Sequence, residues 1–438
     1  MAMGVDTHKV EVVPVVLEKH PNADKLSVVR VYNFTCVVNT ADWQGVARAA
    51  YAQPDSVMPN TPEYRFLKLT SSLRKELDEI GANETAIKGG ISYCRTRHKD
   101  GEACECNARF LEELQQRRAG VEKKIDGNTK YLRITVKKLR GVISMGMLLP
   151  VPPCGLCTTY PAESLQGKYH ELGEQGRVLC TDRAEAGDDI ADLMGIAHYE
   201  PPTMDEIEGN RKHAGDDVAP APPMIYAPKY DVESIYKYAD AFEQDEPVYV
   251  SEKLDGQNAR YVSTLGGPYR VERPGGSVYS ATDYTFHAGS RTEWKKKEGG
   301  SNWWRAIEQN PWIEEWMIAN PERVLYGEVF GWVANLKYGA KQGQLFFRAF
   351  DIMDGMEYLD AEQFIAEVPE EYRAPSLGVM PFDFEKLQAL ADGPSLIKGA
   401  NNMREGIVIK PLRERKHWKL GRVMLKMVGL KYLETTSR

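Results

Sequence analysis

The residues whose types and spacing are best suited to chemistry lie in Ser251–Gly256, where a lysine and a carboxylate follow an apolar strand. Lys253 and Asp255 are two positions apart, so on a strand both side chains would lie on the same face. Gly256 would then let the chain turn away tightly. A lysine amine is a nucleophile only when unprotonated, so its ordinary pKa of roughly 10.4 must be lowered. A metal-bound phosphate beside Asp255 would lower it, although the pattern alone is more typical of a strand-end ion pair and turn.

Further polar residues follow in order, each within an apolar, strand-like stretch: Asn258, Arg260, Arg291, Glu328, Phe350, Glu405, Lys410 and Lys426. Apolar strands with few convergent polar side chains predict a pocket between two sheets. The carboxylates of Asp255, Glu328 and Glu405 can hold a hard divalent cation. The cations Lys410, Lys426 and Arg291 can hold phosphate oxygens.

This ordered set resembles the covalent nucleotidyltransferase superfamily, which comprises the polynucleotide ligases and the mRNA capping enzymes, over residues 224–432. The resemblance implies that Lys253 takes AMP from ATP and forms a lysyl-N–AMP bond with the help of Mg²⁺ or Mn²⁺. Glu252 matches the residue that contacts the adenine amino group in RNA ligases, and Phe350 matches an aromatic ring stacked on adenine.

The same resemblance assigns contacts to the sugar, the phosphates and the metal. Arg260 matches a ribose or substrate-phosphate contact, and Asn258 matches an asparagine typical of RNA ligases. Glu328 and Glu405 match the carboxylates for the ribose and for metal-bound water. Lys426 matches the second lysine of the last motif, whose first lysine is replaced here by Met424. That departure weakens the expected α-phosphate contact, which Lys410 could take over.

The strand and helix patterns predict an α+β chain of two domains. Residues 1–200 are expected to be a β domain interrupted by a helical insertion at about 66–127, and the resemblance described next implies that this domain is an OB-fold β-barrel. Residues 201–223, rich in Pro, Asp and Gly, are expected to be a linker. Residues 224–438 are expected to form a nucleotidyltransferase domain of two antiparallel sheets with flanking helices near 301–319 and 361–368. The chain ends 12 residues after Lys426, so no OB domain is expected to follow.

The N-terminal stretch His20–Leu26 resembles the opening of OB-fold tRNA-binding modules. Together with Gln53–Ser56 and Lys138–Gly146 it resembles the nick-sealing RNA ligases of the Deinococcus and Naegleria type, which carry an OB domain first. The function implied is an ATP-dependent RNA ligase that joins 3′-OH and 5′-phosphate ends of RNA or of a nicked duplex, as a monomer. An ATP-dependent DNA ligase or another nucleotidyltransferase with an OB module stays open, as does a tRNA-binding protein with a degenerate transferase domain.

An OB barrel binds nucleic acid through a basic groove with stacking aromatic rings. The basic candidates are Lys130, Arg133, Lys137, Lys138 and Arg140, with Tyr131 for stacking. A solvated basic edge strand is the alternative. The net charge of −7, from 56 Lys and Arg against 63 Asp and Glu, excludes a globally basic nucleic-acid binder, so a local patch is required.

The cysteines offer two possible structural zinc sets. Cys94, His98, Cys104 and Cys106 lie in the insertion, between helices expected to lack a core of their own; Cys154 and Cys157 have the better spacing, with Cys180 or His170 as later partners. Free thiols are the alternative. Seven cysteines are too few for a disulfide scaffold, and neither a signal peptide nor an apolar run of about 18 residues is visible. A cytoplasmic, reducing setting without membrane contact is expected.

Overall fold

The computed structural model describes residues 8–89, 106–159, 165–172, 176–199, 217–265, 270–273, 276–279 and 284–436. The chain divides into an N-terminal unit of residues 8–31 and 35–200 and a C-terminal unit of residues 201–438 with 32–34. The limits predicted for the linker stay a prediction. Among the helices that the structure describes, none combines the length and the apolar run needed to cross a bilayer.

The N-terminal unit is built from short strands because its sequence alternates β-branched runs with turn formers. Its strands are β1 (Val10–Pro14), β2 (Glu18–Lys19), β3 (Leu26–Val31), β4 (Phe34–Asn39), β5 (Arg48–Ala52), β6 (Ser56–Val57), β7 (Lys137–Leu139), β8 (Val142–Ser144), β9 (Met147–Leu149), β10 (Leu165–Gln166), β11 (Tyr169–Glu171), β12 (Arg177–Leu179) and β13 (Ala197–His198). They pair in the orders β1-β5-β9, β2-β3-β4, β10-β11-β12, β7-β8 and β6-β13. The core between them contains Val10, Val12, Ala50, Leu149 and Ile190.

The helices of this unit are α1 (Thr40–Trp43), α2 (Arg65–Lys68), α3 (Ser71–Lys88), α4 (Cys106–Gly127) and α5 (Ala191–Met194). The two long helices form the predicted insertion. Their apolar stripes meet in a separate cluster that includes Leu73, Ile80, Leu114 and Val121. The expectation that this element lacks a core of its own was therefore wrong, because the helical spacing of these residues buries them against each other.

The strands of the C-terminal unit are β14 (Val218–Ala219), β15 (Glu233–Ser234), β16 (Pro247–Lys253), β17 (Gly256–Leu265), β18 (Arg270–Arg273), β19 (Gly276–Tyr279), β20 (Tyr284–Gly289), β21 (Trp294–Lys295), β22 (Val324–Gly331), β23 (Leu345–Asp354), β24 (Glu357–Tyr358), β25 (Ser376–Pro381), β26 (Gly406–Pro411), β27 (Lys416–His417), β28 (Gly421–Arg422) and β29 (Leu425–Val428). A seven-stranded sheet has the order β14-β21-β20-β17-β22-β23-β24, and a five-stranded sheet the order β15-β29-β26-β16-β25. Both sheets are antiparallel except at one edge, where β15 pairs with β29 in parallel.

The helices of the C-terminal unit are α6 (Ile235–Tyr238), α7 (Asn302–Gln309), α8 (Trp312–Ala319), α9 (Ala361–Glu367), α10 (Phe384–Ala391) and α11 (Leu430–Thr436). Helices α7 and α8 cover one face of the seven-stranded sheet through Trp303, Trp304 and Trp316. The other face of that sheet meets the five-stranded sheet in an apolar layer that includes Val262, Tyr326, Val408 and Met424. The predicted arrangement of two sheets with flanking helices is confirmed.

Candidate active site between the two sheets of the C-terminal unit

Lys253 is the last residue of β16, which lies inside the five-stranded sheet between β25 and β26. Asp255 lies beyond the strand, in a bend, so the two side chains are not ordered by strand alternation as the spacing predicted. The bend is fixed by two hydrogen bonds: the Asp255 amide donates to the Tyr338 hydroxyl (2.7 Å), and the Leu336 amide donates to Asp255 Oδ2 (2.9 Å). Asp255 is thereby held beside Lys253, and the carboxylate raises the pKa of the lysine.

Gly256 is the first residue of β17. Its position predicted a tight turn, but the structure requires a glycine there because of close packing. Its φ is not positive, but a Cβ atom there would lie 2.4 Å from the Val329 carbonyl oxygen and 2.8 Å from Glu328 Cγ. The absence of a side chain therefore lets β17 approach β22 closely, which brings Glu328 to the end of the bend.

An ion pair joins the lysine to the strand next to it. Lys253 Nζ donates to Glu405 Oε1 at 2.6 Å, with the lysine side chain one-quarter exposed. The pairing follows from register: Lys253 lies opposite Gly406, the first residue of β26, so the residue before Gly406 is adjacent to the lysine. Glu328 comes from the other sheet, opposite Asn258.

The charges of this cluster oppose one another. Burial raises the pKa of Glu328 to about 8, with help from Glu405 and Asp255 and against the effect of Lys253. Burial also raises the pKa of Glu405, although the Lys253 ammonium opposes the change. Burial alone would lower the pKa of Lys253, but Glu405, Glu328 and Asp255 outweigh it and raise that pKa. Three carboxyl groups around one ammonium could all ionise only with an excess of negative charge, which a bound divalent cation would neutralise.

The pocket also contains buried polar atoms that the described residues leave without hydrogen bonds. Glu252 is 1% exposed; its Oε2 accepts from the Leu396 amide at 2.7 Å, while Oε1 has no partner among the described residues. Within the same described set, Asn258 Oδ1 and Arg260 Nε are also buried and unpaired. Orphaned buried groups cost free energy unless a ligand satisfies them. A nucleotide, with amino, hydroxyl and phosphate groups, fits this set.

Arg260 and Phe350 line the layer between the sheets. Arg260 donates from Nη1 to the Ala227 carbonyl oxygen at 2.6 Å, and its guanidinium carbon lies 4.4 Å from the ring centre of Trp294. Burial lowers the pKa of Arg260. Phe350 is the extra residue of a β-bulge between β22 and β23, and its ring lies 4.8 Å from that of Tyr230. A bulge redirects a side chain, here into the pocket layer.

The sequence and structural comparisons both relate the chain to RNA ligases. Residues 246–428 match the model of the RNA ligase family, and residues 8–94 match a model of an OB-fold domain. The first of these matches spans most of the C-terminal unit. No curated protein matches the chain in sequence.

Solved structures of the Naegleria gruberi RNA ligase resemble this chain over nearly the whole of both chains. A structure with pyrophosphate has a TM-score of 0.58 and 20% identity, covering 99% of this chain and 100% of that chain. A variant with ATP and Mn has a TM-score of 0.57 and 19% identity, covering 98% and 99%. A lysine-to-methionine variant with AMP and Mn gives the same four values. The predicted α+β fold, with an OB domain followed by a ligase domain, is confirmed.

Two cations predicted to bind phosphate, Lys410 and Arg291, each form an ion pair with a carboxylate of the C-terminal unit. Lys410 is 3% exposed, and its Nζ lies 3.4 Å from Asp351 Oδ1. It lies on the strand face of Lys253 but four residues along β26, about 13 Å at 3.3 Å per residue. Its expected role as a substitute phosphate ligand is therefore not favoured, because its ammonium already pairs with a buried carboxylate. Arg291 pairs with Asp231 at 3.0 Å, in the turn after β20.

Lys426 is better placed. It lies on β29 opposite Val408, two residues along from Gly406, and so on the same face as Lys253. Its charge lowers the pKa of Glu405. Met424, where the family has a lysine, is buried, and its sulfur lies 3.0 Å from the Tyr230 hydroxyl.

Sequence reasoning missed three residues of the ligase pocket. Asp351 is fully buried and accepts hydrogen bonds from Arg422 (2.5 Å) and Tyr230 (2.6 Å). A carboxylate inside an apolar strand was the available signal for Asp351. Tyr338 and Tyr432, whose hydroxyls hydrogen-bond at Asp255, lie in segments with no distinguishing pattern.

The basic candidates of the OB domain include a β-hairpin, β7–β8. Arg140 and Gly141 form its two-residue turn, both with positive φ. His20 Nε2 lies 3.2 Å from the Leu139 carbonyl oxygen, and Asn22 Nδ2 donates to the Arg140 carbonyl oxygen at 2.9 Å. The tRNA-module-like stretch therefore holds the hairpin that contains Lys137 and Lys138, both exposed.

The other basic-groove candidates divide into two kinds. Arg133 pairs with Asp55 at 2.6 Å and stacks on Tyr199 at 3.7 Å, so its charge is partly used within the fold. Lys130 lies 5.1 Å from the ring centre of Tyr131, which is 39% exposed. The latter pair keeps a cation and an aromatic face at the surface.

Of the first predicted zinc set, Cys94, His98 and Cys104 lie outside the described residues, and Cys106 begins α4. The second set does come together: Cys154, Cys157, His170 and Cys180 place their ligand atoms within 4.8 Å of one another.

Proposed function

We propose that this RNA ligase uses ATP to join 3′-OH and 5′-phosphate ends, with Lys253 as the nucleophile. The carrying observation is the ion pair of Lys253 with Glu405 at 2.6 Å, beside the carboxylates of Glu328 and Asp255 and the unpaired Oε1 of Glu252. A nucleophilic lysine needs a neighbouring group that controls its proton and a site that orients the electrophile.

Three displacements at phosphorus complete the reaction. In the first, Lys253 Nζ loses its proton, a P–N bond forms at the α-phosphorus of ATP, and the P–O bond to pyrophosphate breaks. In the second, a 5′-phosphate oxygen attacks the same phosphorus and releases the lysine, which recovers a proton. In the third, the 3′-OH attacks the activated 5′-phosphate, forms the phosphodiester and releases AMP. Lys253 is expected to act only in the first two steps.

Glu252, Asn258 and Arg260 are assigned to the nucleoside, because their unpaired polar atoms are buried in the pocket. Phe350 is assigned to stacking on the base, and Lys426 to phosphate oxygens. Asp255, Glu328 and Glu405 would hold Mg²⁺ or Mn²⁺, directly or through water. The bound cation would supply positive charge that lowers the pKa of Lys253 and stabilises the leaving pyrophosphate.

The test of the nucleophile uses ATP labelled at the α-phosphate with Mn²⁺ or Mg²⁺. The wild-type chain should become covalently labelled, and Lys253→Ala should not. Lys386→Ala, which removes an exposed lysine of α10, is the matched control and should label normally. Persistent labelling of folded Lys253→Ala would exclude the assignment.

The preferred substrate is proposed to be RNA at a nick in a duplex, bound by a monomer inside the cell. The OB-fold match and the exposed lysines of β7–β8 support a second nucleic-acid contact outside the active site. A panel of nicked duplexes with RNA or DNA on each side of the break tests this preference, and light scattering measures the oligomeric state. Equal sealing of all-DNA nicks would favour the DNA ligase alternative without affecting the Lys253 label.

A further inference from the structure

The N-terminal unit contains a cluster of three cysteines and one histidine that has no part in the ligase chemistry. Cys154 precedes a short 3₁₀ turn, Gly155–Thr158, and Cys157 lies within that turn. His170 lies on β11, and Cys180 directly follows β12. The four residues therefore connect a turn to two strands of a small sheet.

Three of the six distances between ligand atoms are close to the edges of a metal tetrahedron, and all six are within 4.8 Å. Cys154 Sγ lies 3.4 Å from His170 Nε2, Cys157 Sγ lies 3.7 Å from the same nitrogen, and the Cys157 and Cys180 sulfurs are 3.4 Å apart. Zinc bonds of about 2.3 Å to sulfur and 2.0–2.1 Å to nitrogen require ligand atoms about 3.5–3.8 Å apart. A disulfide would require sulfurs only about 2.05 Å apart.

The backbone around the first cysteine is fixed by two hydrogen bonds. The Cys154 amide donates to Asp182 Oδ1 at 3.1 Å, and the Cys157 amide donates to the Cys154 carbonyl oxygen at 3.3 Å. These bonds hold the turn so that the Cys154 and Cys157 sulfurs both lie near His170 Nε2. His170 and Cys180 are fully buried, so their polar atoms need partners inside the protein.

The surrounding structure offers little to hold this region together. Strands β10, β11 and β12 contain only two or three residues each. Leu179 and Val151 pack against the main core of the unit, so the cluster lies where this sheet joins that core. A metal would supply folding free energy at a site with few apolar contacts.

We propose that Cys154, Cys157, His170 and Cys180 bind one structural Zn²⁺. All four positions are filled by protein ligands, which closes the site to substrate and gives the ion a structural role. The proposal replaces the set containing Cys106, since the helices of that set are already held by their own core.

The test uses the full chain, prepared without a metal-affinity resin, and elemental analysis. The wild type should contain zinc, and Cys157→Ser should remove one equivalent per chain. Cys157 is the exposed member of the cluster, so its change disturbs packing least. His170→Cys should keep zinc, because four thiolates also suit the ion, whereas His170→Ala should lose it.

Two variants outside the cluster are controls. Cys36→Ser alters a buried thiol elsewhere in the unit, and Cys106→Ser alters the one described member of the rival set; each should keep this equivalent of zinc. Replacement by Co²⁺ should give the intense visible bands of a tetrahedral thiolate site, lost in Cys157→Ser. Lys253 labelling should survive in Cys157→Ser, since the cluster takes no part in the chemistry.

Three results would overturn the proposal. One is zinc-free, folded wild type with all thiols reactive. Another is a Cys157–Cys180 disulfide in freshly isolated protein. The third is zinc retained by Cys157→Ser and lost by Cys106→Ser. None of these results bears on covalent labelling of Lys253.

Discussion

Replacement of Glu328 by Gln should stabilise the nucleotide-free ligase at alkaline pH while it impairs the chemistry. Burial, with help from Glu405 and Asp255, raises the pKa of Glu328 from 4.5 to about 8. The folded state therefore keeps a proton that the unfolded chain has released. Between pH 4.5 and about 8, this difference lowers the free energy of unfolding as pH rises. Glutamine does not titrate, so the free energy of unfolding of the variant does not fall with pH in this way.

The size of the effect follows from the shift. At about 1.4 kcal/mol per pKa unit, the rise from 4.5 to about 8 means that full ionisation of Glu328 costs on the order of 5 kcal/mol. That shift already includes the attraction of Lys253 for the carboxylate, but the glutamine amide needs its own hydrogen-bond partners in a buried cluster, so we expect a net gain of about 2 kcal/mol at pH 8.5. For a domain of this size, that gain corresponds to a rise of about 4–8 °C in Tm. At pH 5.5 the wild-type carboxyl is already protonated, and the two proteins should unfold at nearly the same temperature.

The assay is thermal unfolding of the C-terminal domain within the full chain, at several pH values, with a chelator present. Glu357→Gln, which changes an exposed carboxylate on the same sheet, is the control and should show no pH-dependent gain. Added Mn²⁺ should stabilise the wild type more than Glu328→Gln, because the variant lacks one carboxylate for the cation. A gain that is equal at pH 5.5 and 8.5, or a loss at pH 8.5, would refute the reasoning.

Three further changes test other parts of the structure. Gly256→Ala should cost about 1–3 kcal/mol of stability and reduce covalent labelling, because the new Cβ would lie 2.4 Å from the Val329 oxygen. Met424→Lys should lower Tm and not speed labelling, because it buries an ammonium beside Tyr230 in an apolar layer. Asn22→Ala should weaken binding of a nicked RNA duplex about fivefold, since it removes one hydrogen bond of about 1 kcal/mol from the β7–β8 turn, and should leave labelling unchanged.

Each of these changes has an outcome that would contradict its premise. Gly120→Ala, in open space on α4, is the control for Gly256→Ala, and an equal loss in both would exclude strand approach as the cause. Faster labelling by Met424→Lys would mean that the position reaches the phosphates. Unchanged duplex binding by Asn22→Ala at raised salt would separate the hairpin from RNA binding.

The sequence predicts the pocket residues only where the strand pattern determines which face of the sheet a side chain lies on. Glu405 precedes an apolar strand and Glu328 interrupts one, so both were recognisable as inward carboxylates, and the structure places both beside Lys253. Lys410 looked equivalent by type and context. Its partner Asp351 comes from the other sheet, 59 residues earlier, and that separation cannot be inferred from a strand pattern.

The zinc ligands also show that a sequence pattern cannot predict contacts between distant residues. The Cys154–Cys157 spacing predicts a metal-binding turn, but the partners His170 and Cys180 are set by how β11 and β12 fold back on it. The rival set was closer together in sequence and therefore seemed more self-sufficient. Its setting was misjudged because α3 and α4 bury their apolar stripes against each other.

Under the proposed mechanism, the charge arrangement around Lys253 would link its reactivity to the arrival of substrate. Without metal and nucleotide, Glu405, Glu328 and Asp255 raise the pKa of the lysine and favour its protonated form. A cation bound by the same carboxylates would withdraw that stabilisation, so the amine would become available when metal and triphosphate are present. This coupling follows from the strand pairing. Gly406 lies opposite Lys253, so Glu405 is next to the lysine. The close approach of β17 and β22 at Gly256 brings Glu328 to the same place. The same crowded carboxylates therefore lower the stability of the fold and keep the proposed nucleophile, Lys253, protonated until its electrophile is bound.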